Sequence, residues 1–275
     1  MKVVGIIPAR YGSTRLPGKP LKDILGYPMI WWVYKRVCSV KKLDEVYVAT
    51  DDERIKGVCE QFNIPVVMTA NTHKTAAHRL QEVSESVVAD FYLQLNGDEP
   101  LINTDAIEAA IPDEVPDDRE FGTNIITEMT EPAQVMDASN IKMVFDNEMN
   151  ALYMSRTPIP YPFKAIDYKY YKHVGIIGYN KKMLDFYKTL VDNEYMSTEA
   201  VNYNAGDNAN QFTAGKTAMI IDGPWRLRSI QSDAGFEWGV AKIPAGPAGF
   251  STVLGGHNFA VVNNDNTDAS WEFIK

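Results

Sequence analysis

The first hundred residues alternate short apolar runs with stretches of helical spacing. Val3–Pro8 is an apolar, β-branched run and predicts a strand. Pro28–Val40 has helical spacing with a proline near its start, where a helix tolerates one. Glu45–Thr50 then reads as a strand, Asp52–Phe62 as a helix and Pro65–Thr69 as a strand. Thr75–Val88 follows as a helix and Asp90–Asn96 as another strand. Apolar strands separated by helices of ten or more residues predict βαβ units, and so an α/β fold with a parallel sheet covered on both faces. From Thr123 to Tyr179 strand patterns take over. The stretch "IKMVFDNEMNALYMS" reads as a hairpin turning at Asp146–Asn150, and Lys181–Leu190 as a further helix.

At 275 residues the chain has room for one large domain or two small ones. Hydrophobic residues at 45% and charged residues at 23% exclude disorder for most of it. A net charge of −9 argues against a nucleic-acid surface, which needs a basic stripe, but leaves small anionic ligands open. Cys38 and Cys59 cannot form a disulfide scaffold, and neither has metal-type Cys/His spacing around it. No apolar run approaches the roughly 20 residues that span a bilayer. The opening "MKVVGIIPAR" is too short and too β-branched for a signal peptide, so a cytoplasmic location is expected.

Composition shifts near residue 190. The last 85 residues carry 9 of the 18 glycines but only 15 charged side chains, against 48 in the first 190. Asparagines cluster there as well, at 202, 204, 208 and 210 and again at 263, 264 and 266. The expectation is a first domain over 1–190 and a segment of different character over 191–275.

Ligands of open α/β sheets bind beyond the carboxyl ends of the strands, and two polar segments fall at such ends. Directly after the first strand comes Arg10-Tyr11-Gly12-Ser13-Thr14-Arg15-Leu16-Pro17-Gly18-Lys19-Pro20. Its glycines let backbone N–H groups approach a polyphosphate, and its cations neutralise charge. It is neither a Walker A loop nor a dinucleotide fingerprint: five residues separate Gly12 from Gly18, Pro20 stands where a magnesium-binding Ser or Thr would be, and no G-x-G-x-x-G occurs. A bare Gly/Lys loop is usually a solvated turn; three cations behind a central strand favour phosphate binding. The second segment is Asn96-Gly97-Asp98-Glu99-Pro100, after "DFYLQL". Alone it reads as a capped turn. Beside the basic loop, Asp98 becomes a candidate Mg²⁺ ligand, because magnesium takes one or two protein carboxylates together with substrate phosphates.

These residues match a family. "IIPARYGSTRLPGKPL", then "VATDDERI", "VVMT…H…RL", "NGDEPLI", "ALYMSRTPIP" and "HVGIIGY", in that order, resemble the 3-deoxy-manno-octulosonate (Kdo) cytidylyltransferases over about residues 1–190. The resemblance implies a three-layer, Rossmann-like nucleotidyltransferase domain with a mixed, mostly parallel sheet. It also implies that CTP and an acidic keto-sugar react to give a CMP-sugar and pyrophosphate, with Mg²⁺ as cofactor. By resemblance Arg10, Ser13, Arg15 and Lys19 hold the triphosphate, and Arg10, Lys19 and Asp98 carry the catalysis. Asp98 binds the metal, Thr75 lies near the nucleotide, Arg79 near the nucleotide or the sugar, and Asn96 and His173 near the sugar.

Three departures bear on the sugar end. Thr75-Ala76-Ala77-His78-Arg79 replaces a Ser-Gly-Thr-acidic-Arg pattern, Asn96 replaces a Gln, and Ile177 replaces the Tyr of His-x-Gly-x-Tyr. His78 is therefore either a cation or donor for a sugar acid, or a solvent-facing helical histidine. The family's C-terminal helix, which helps form its homodimer, and its second metal-binding Asp are not recognisable. Instead "NANQFTAGKTAMIIDGPWRL", "WGVAKIPAGPAG" and "WEFIK" resemble the C-terminal lobe of sugar-binding proteins of ABC importers. In that lobe Trp225 often stacks on a sugar; core packing is the stronger reading here for Trp225 and Trp238. The alternative function is thus a chimeric or truncated chain with a carbohydrate-binding-like tail and little or no transferase activity.

Overall fold

The first strand, β1 (Val3–Ala9), shows how the sequence builds the layers. Side chains alternate across a strand, so Val3, Ile7 and Ala9 enter one apolar layer while Val4 and Ile6 enter the other. A 3-10 turn (Lys19–Leu21) and a short hairpin of β2 (Asp23–Ile24) and β3 (Tyr27–Pro28) lead to α1 (Met29–Val37). The chain continues as β4 (Glu45–Thr50), α2 (Glu53–Gln61), β5 (Val66–Met68), α3 (Ala76–Ser86), β6 (Phe91–Leu95) and α4 (Thr104–Ala109). Then follow β7 (Gly122–Met129), α5 (Pro132–Met136), β8 (Lys142–Phe145), β9 (Ala151–Ser155), β10 (Tyr170–Tyr179) and α6 (Lys181–Asp192). This computed structural model describes residues 1–12, 16–73, 75–162, 168–193, 205–216, 220 and 226–240.

The large sheet runs β5-β4-β1-β6-β10-β8-β9, with β7 on the free edge of β10. Strands β5, β4, β1 and β6 are parallel, and β10 joins them antiparallel to β6. β10 is long enough to pair with β6 along Ile176–Tyr179 and with β8 at Tyr171–Lys172. Ile30, Val33 and Val37 of α1, Ile55 and Cys59 of α2 and Ile107 of α4 cover one face. Leu80 and Val83 of α3 and Leu184 of α6 cover the other. The result is the expected three-layer α/β arrangement on a mixed sheet.

The elements read from periodicity recur within a few residues, and their ends follow the caps. Asp52 accepts the Arg54 amide at the start of α2, and Thr75 accepts the His78 amide at the start of α3. The two shortest helices, α4 and α5, span too few turns to leave a periodic signal. In the antiparallel half, Lys142 is fully buried and donates to the carbonyls of Asp137 at 2.6 Å and Arg156 at 2.9 Å. Burial pushes its ammonium below the ordinary lysine range.

Asn180 carries the turn from β10 into α6. Its Oδ1 accepts from the amides of Met183 and Phe121 at 2.9 and 3.1 Å, and its Nδ2 donates to the carbonyls of Pro116 and Arg119 at 2.9 and 2.8 Å. Asn180→Ala removes a helix cap and strands buried partners, and should cost about 2–3 kcal/mol. Asn180→Asp keeps the acceptor and should recover part of it. Urea unfolding midpoints of the two variants check this; equal losses would mean that the cap carries none of the effect.

The chain divides into two units, Met1–Asn202 and Tyr203–Lys275. The second contains α7 (Ala205–Thr213) and α8 (Leu227–Asp233), where Ala209, Phe212 and Ile230 are buried and the rings of Phe212 and Phe236 meet edge-on at 5.5 Å. Trp238 is partly exposed, and Trp225 lies outside the described residues. No helix among the described residues is long and apolar enough to cross a membrane.

Candidate active site at the carboxyl ends of the parallel strands

Each parallel strand is followed at once by a polar residue: β1 by Arg10, β4 by Asp51, β5 by Thr69 and β6 by Asn96. Parallel pairing brings these ends to one edge, since Ala9 lies opposite Thr50, and Thr50 opposite Met68. Gly97 closes the gap between the first and last of them. A Cβ there would stand 2.9 Å from the Pro8 carbonyl oxygen, so only glycine lets the Asn96–Pro100 turn settle on the end of β1.

The basic and acidic loops meet directly. Lys19 Nζ donates to Asp98 Oδ2 at 2.6 Å, with about a third of the lysine side chain and about half of the aspartate exposed. Arg10 is exposed at the end of β1 and has no ion pair among the described residues. Ser13 and Arg15 lie outside the described residues. Asn96 donates to Glu99 Oε1 at 2.7 Å, and its amide lies against Gly175 of β10, where any side chain would displace it.

Arg79, expected near the nucleotide, is buried on α3 and reaches back to the sheet edge. It donates to Thr69 Oγ1 and pairs with Asp51 at 3.4 Å. The Asp51-Asp52 doublet of "VATDDERI", to which the sequence assigned no role, is thereby divided between two tasks: Asp51 holds Arg79, and Asp52 caps α2. Thr75 serves as the N-cap of α3. His78 follows on that helix with its ring 4.4 Å from the ring of His73, whose Nε2 pairs with Glu82. Burial first, then the neighbouring His73, push the His78 imidazole below its ordinary range, so near neutral pH it is an uncharged donor or acceptor.

His173 sits in β10 beside the bulge between His173 and Ile177. Asn124 of β7 donates through Nδ2 to the carbonyls of Val174 and Ile176 at 3.3 and 3.2 Å, which turns its Oδ1 toward His173 Nδ1 at 2.9 Å. An oxygen opposite Nδ1 assigns the proton to Nδ1 and leaves Nε2 as an acceptor. Asn124 gave no signal in the sequence because it lies 49 residues away.

Burial lowers the His173 pKa from its ordinary 6.5. Between the folded and unfolded values the unfolded chain binds more protons, so this contribution to stability is complete above about pH 6.5 and is lost as pH falls through the folded value. His78 acts in the same direction. The melting temperature should therefore fall between pH 7 and pH 5, and His173→Gln should flatten that slope. An unchanged slope would remove His173 from the account.

Among the described residues no group of three or more His, Cys, Asp or Glu side chains is placed to hold a metal ion. Of the carboxylates described at this edge, Glu99 accepts from Asn96 and Asp51 holds Arg79, which leaves the exposed Asp98 carboxylate, paired with Lys19, as the candidate oxygen donor. That set does not suit a metal held by protein alone, but it suits Mg²⁺ shared with phosphate oxygens.

Comparisons with known proteins bear on the family and the fold. A family described as "Cytidylyltransferase" matches residues 4–217, and one described as "Bacterial extracellular solute-binding protein" matches residues 167–275. The 3-deoxy-manno-octulosonate cytidylyltransferase of Escherichia coli is 39% identical over 84% of this chain and 95% of its own length. The 8-amino-3,8-dideoxy-manno-octulosonate cytidylyltransferase of Shewanella halifaxensis is 42% identical over 69% of this chain and 79% of its own length. A solved CMP:2-keto-3-deoxy-manno-octonic acid synthetase complexed with CTP superposes with a TM-score of 0.66 at 35% identity, covering 84% of this chain and 98% of that one. With the matching family spanning most of its length, and with cationic and acidic loops joined at the carboxyl edge of its parallel strands, the chain belongs to the cytidylyltransferase family.

Proposed function

We propose that this chain transfers CMP from CTP to the anomeric hydroxyl of a Kdo-type acidic keto-sugar in the cytoplasm, with Mg²⁺ as cofactor. The observation that carries the reading is the contact between Lys19 and Asp98, which joins the two loops at the strand ends. Relatives named for Kdo and for its 8-amino analogue support the sugar class.

In the reaction the sugar oxygen attacks the α-phosphorus of CTP in line. The bond from that phosphorus to the bridging oxygen breaks, pyrophosphate leaves, and the hydroxyl proton is lost. No covalent enzyme intermediate is needed, so catalysis rests on positioning and charge neutralisation. Arg10 and Lys19 supply cations at the end of β1. Before CTP binds, Lys19 and Asp98 satisfy each other; the triphosphate offers Lys19 a more strongly charged partner and frees the Asp98 carboxylate. Asp98 would then hold Mg²⁺, which when bound neutralises charge on the phosphate oxygens. His173, neutral and with Nε2 as acceptor, suits a sugar hydroxyl, and Asn96 is held by Glu99 at the same edge.

The test is pyrophosphate release by the full chain with CTP, Mg²⁺ and either Kdo or its 8-amino analogue. Release with one of them supports the reading and selects the acceptor. The match of residues 167–275 to solute-binding proteins favours a second reading, a chain whose tail is carbohydrate-binding-like and which transfers little. Heat of CTP binding without release from either acid would decide for that second reading.

A further inference from the structure

Arg54, on the first turn of α2, touches the loop that follows β1. Its guanidinium carbon lies 3.3 Å from the centroid of the Tyr11 ring. Asp52 fixes the plane of that guanidinium, accepting from Nε at 2.9 Å and from a terminal nitrogen at 2.6 Å. An arginine held in a fork in this way presents its flat face for stacking.

Tyr11 in turn ties the two ends of the loop together. Its carbonyl accepts the Gly18 amide at 2.9 Å. Its ring covers Gly18 so closely that a Cβ there would lie 3.0 Å from two ring carbons, at a residue whose φ of 65° already favours glycine. Residue 11 adjoins Arg10 and residue 18 adjoins Lys19, so this contact joins the two backbone positions next to the cations. Capping of α2 does not require this contact: the Asp52 carboxylate already accepts the Arg54 amide, and the Arg54 side chain is 61% exposed.

We propose that Arg54 is a positioning residue for the nucleotide. Clamped by Asp52, it presses on Tyr11 and holds Arg10 and Lys19 at the separation that a triphosphate needs. The inference rests on the CTP reading above for its consequence, but not for the clamp itself. A loop ordered before binding loses less conformational entropy when the anion arrives, so the benefit falls on nucleotide affinity rather than on the chemical step.

Two measurements on the full chain separate these parts. The first is hydrogen exchange across residues 10–21 without nucleotide; the second is calorimetric titration with CTP and Mg²⁺. Arg54→Ala should speed exchange of the Gly18 amide and weaken CTP binding about two- to fivefold, as loss of an exposed cation–π contact does, with the melting temperature unchanged. Arg54→Lys, which keeps the cation, should fall between Arg54→Ala and the unmodified chain. Tyr11→Phe, which keeps the ring, should behave as the unmodified chain does. In a Tyr11→Leu background, Arg54→Ala should add nothing. Exchange in Arg54→Ala equal to that of the unmodified chain overturns the clamp. Faster exchange with unaltered CTP affinity overturns the positioning role. An unmodified chain that binds no CTP overturns the functional reading instead, and exchange still decides the clamp.

Discussion

Asp98→Asn should slow CMP transfer about a hundred- to a thousandfold, the usual cost of removing one preorganised electrostatic contact at a reacting phosphate or acyl centre. The carboxylate is about half exposed, and its partner in the structure is the partly exposed Lys19, so a folding defect is not expected. Surface pairs of this kind contribute about 0–1 kcal/mol to stability. On the proposed reading the charge acts through the ligands: the amide would not hold Mg²⁺ as a carboxylate does and does not match the charge of Lys19. Steady-state pyrophosphate release at saturating CTP and Mg²⁺, with a melting curve alongside, measures both effects. Asp98→Glu keeps the charge one methylene further out and should fall between the other two. A kcat for Asp98→Asn within a few-fold of the unmodified chain would exclude Asp98 from the site.

Phe91→Ala should destabilise the chain by about 3–5 kcal/mol, because a fully buried aromatic ring leaves a cavity that a close-packed core refills only partly. Phe91 opens β6, is 0% exposed, and lies 6.2 Å from the Phe121 ring. Its seat is Gly178 of β10: any Cβ there would overlap the Phe91 ring. The ring thus packs across the seam between β6 and β10, the strands that bring Asn96 and His173 to the same half of the sheet. Against the roughly 5–15 kcal/mol that separates folded from unfolded chains, such a loss is large. Urea midpoints give the figure, and Phe91→Leu should cost less by filling part of the space. A loss below about 1 kcal/mol for the alanine variant would contradict the packing described.

These two cases differ in how far the sequence announces them. Asp98 was legible because an apolar strand ending in Gly-Asp-Glu is a local pattern, and because a second strand ended in a basic loop. The importance of Phe91 was not, since nothing near it in the chain points to Gly178, 87 residues on. The same holds for Arg79, where the family resemblance implied a ligand contact but the fold adds Asp51 and Thr69 as partners. It holds again for Arg54, which stands in the quoted stretch "VATDDERI" without any sign there of its contact with Tyr11. His78 read either as a cation or donor for a sugar acid or as a solvent-facing helical histidine; the fold half-buries it, and burial beside His73 lowers its pKa.

From the sequence alone came the strand and helix positions of the first hundred residues, because side-chain periodicity reports burial over a few residues of chain. The same local patterns supplied the family resemblance, the two loops at the strand ends and the shift in composition near residue 190. What only the tertiary structure decided were the pairings across long separations. Lys19 meets Asp98, Asn124 orients His173, Gly97 admits the acidic turn to the end of β1, and Arg54 reaches Tyr11. The reason is physical: strand and helix formation depends on near neighbours in the chain, whereas the charge, tautomer and spacing of site residues depend on groups that only the packed sheet brings within a few ångströms.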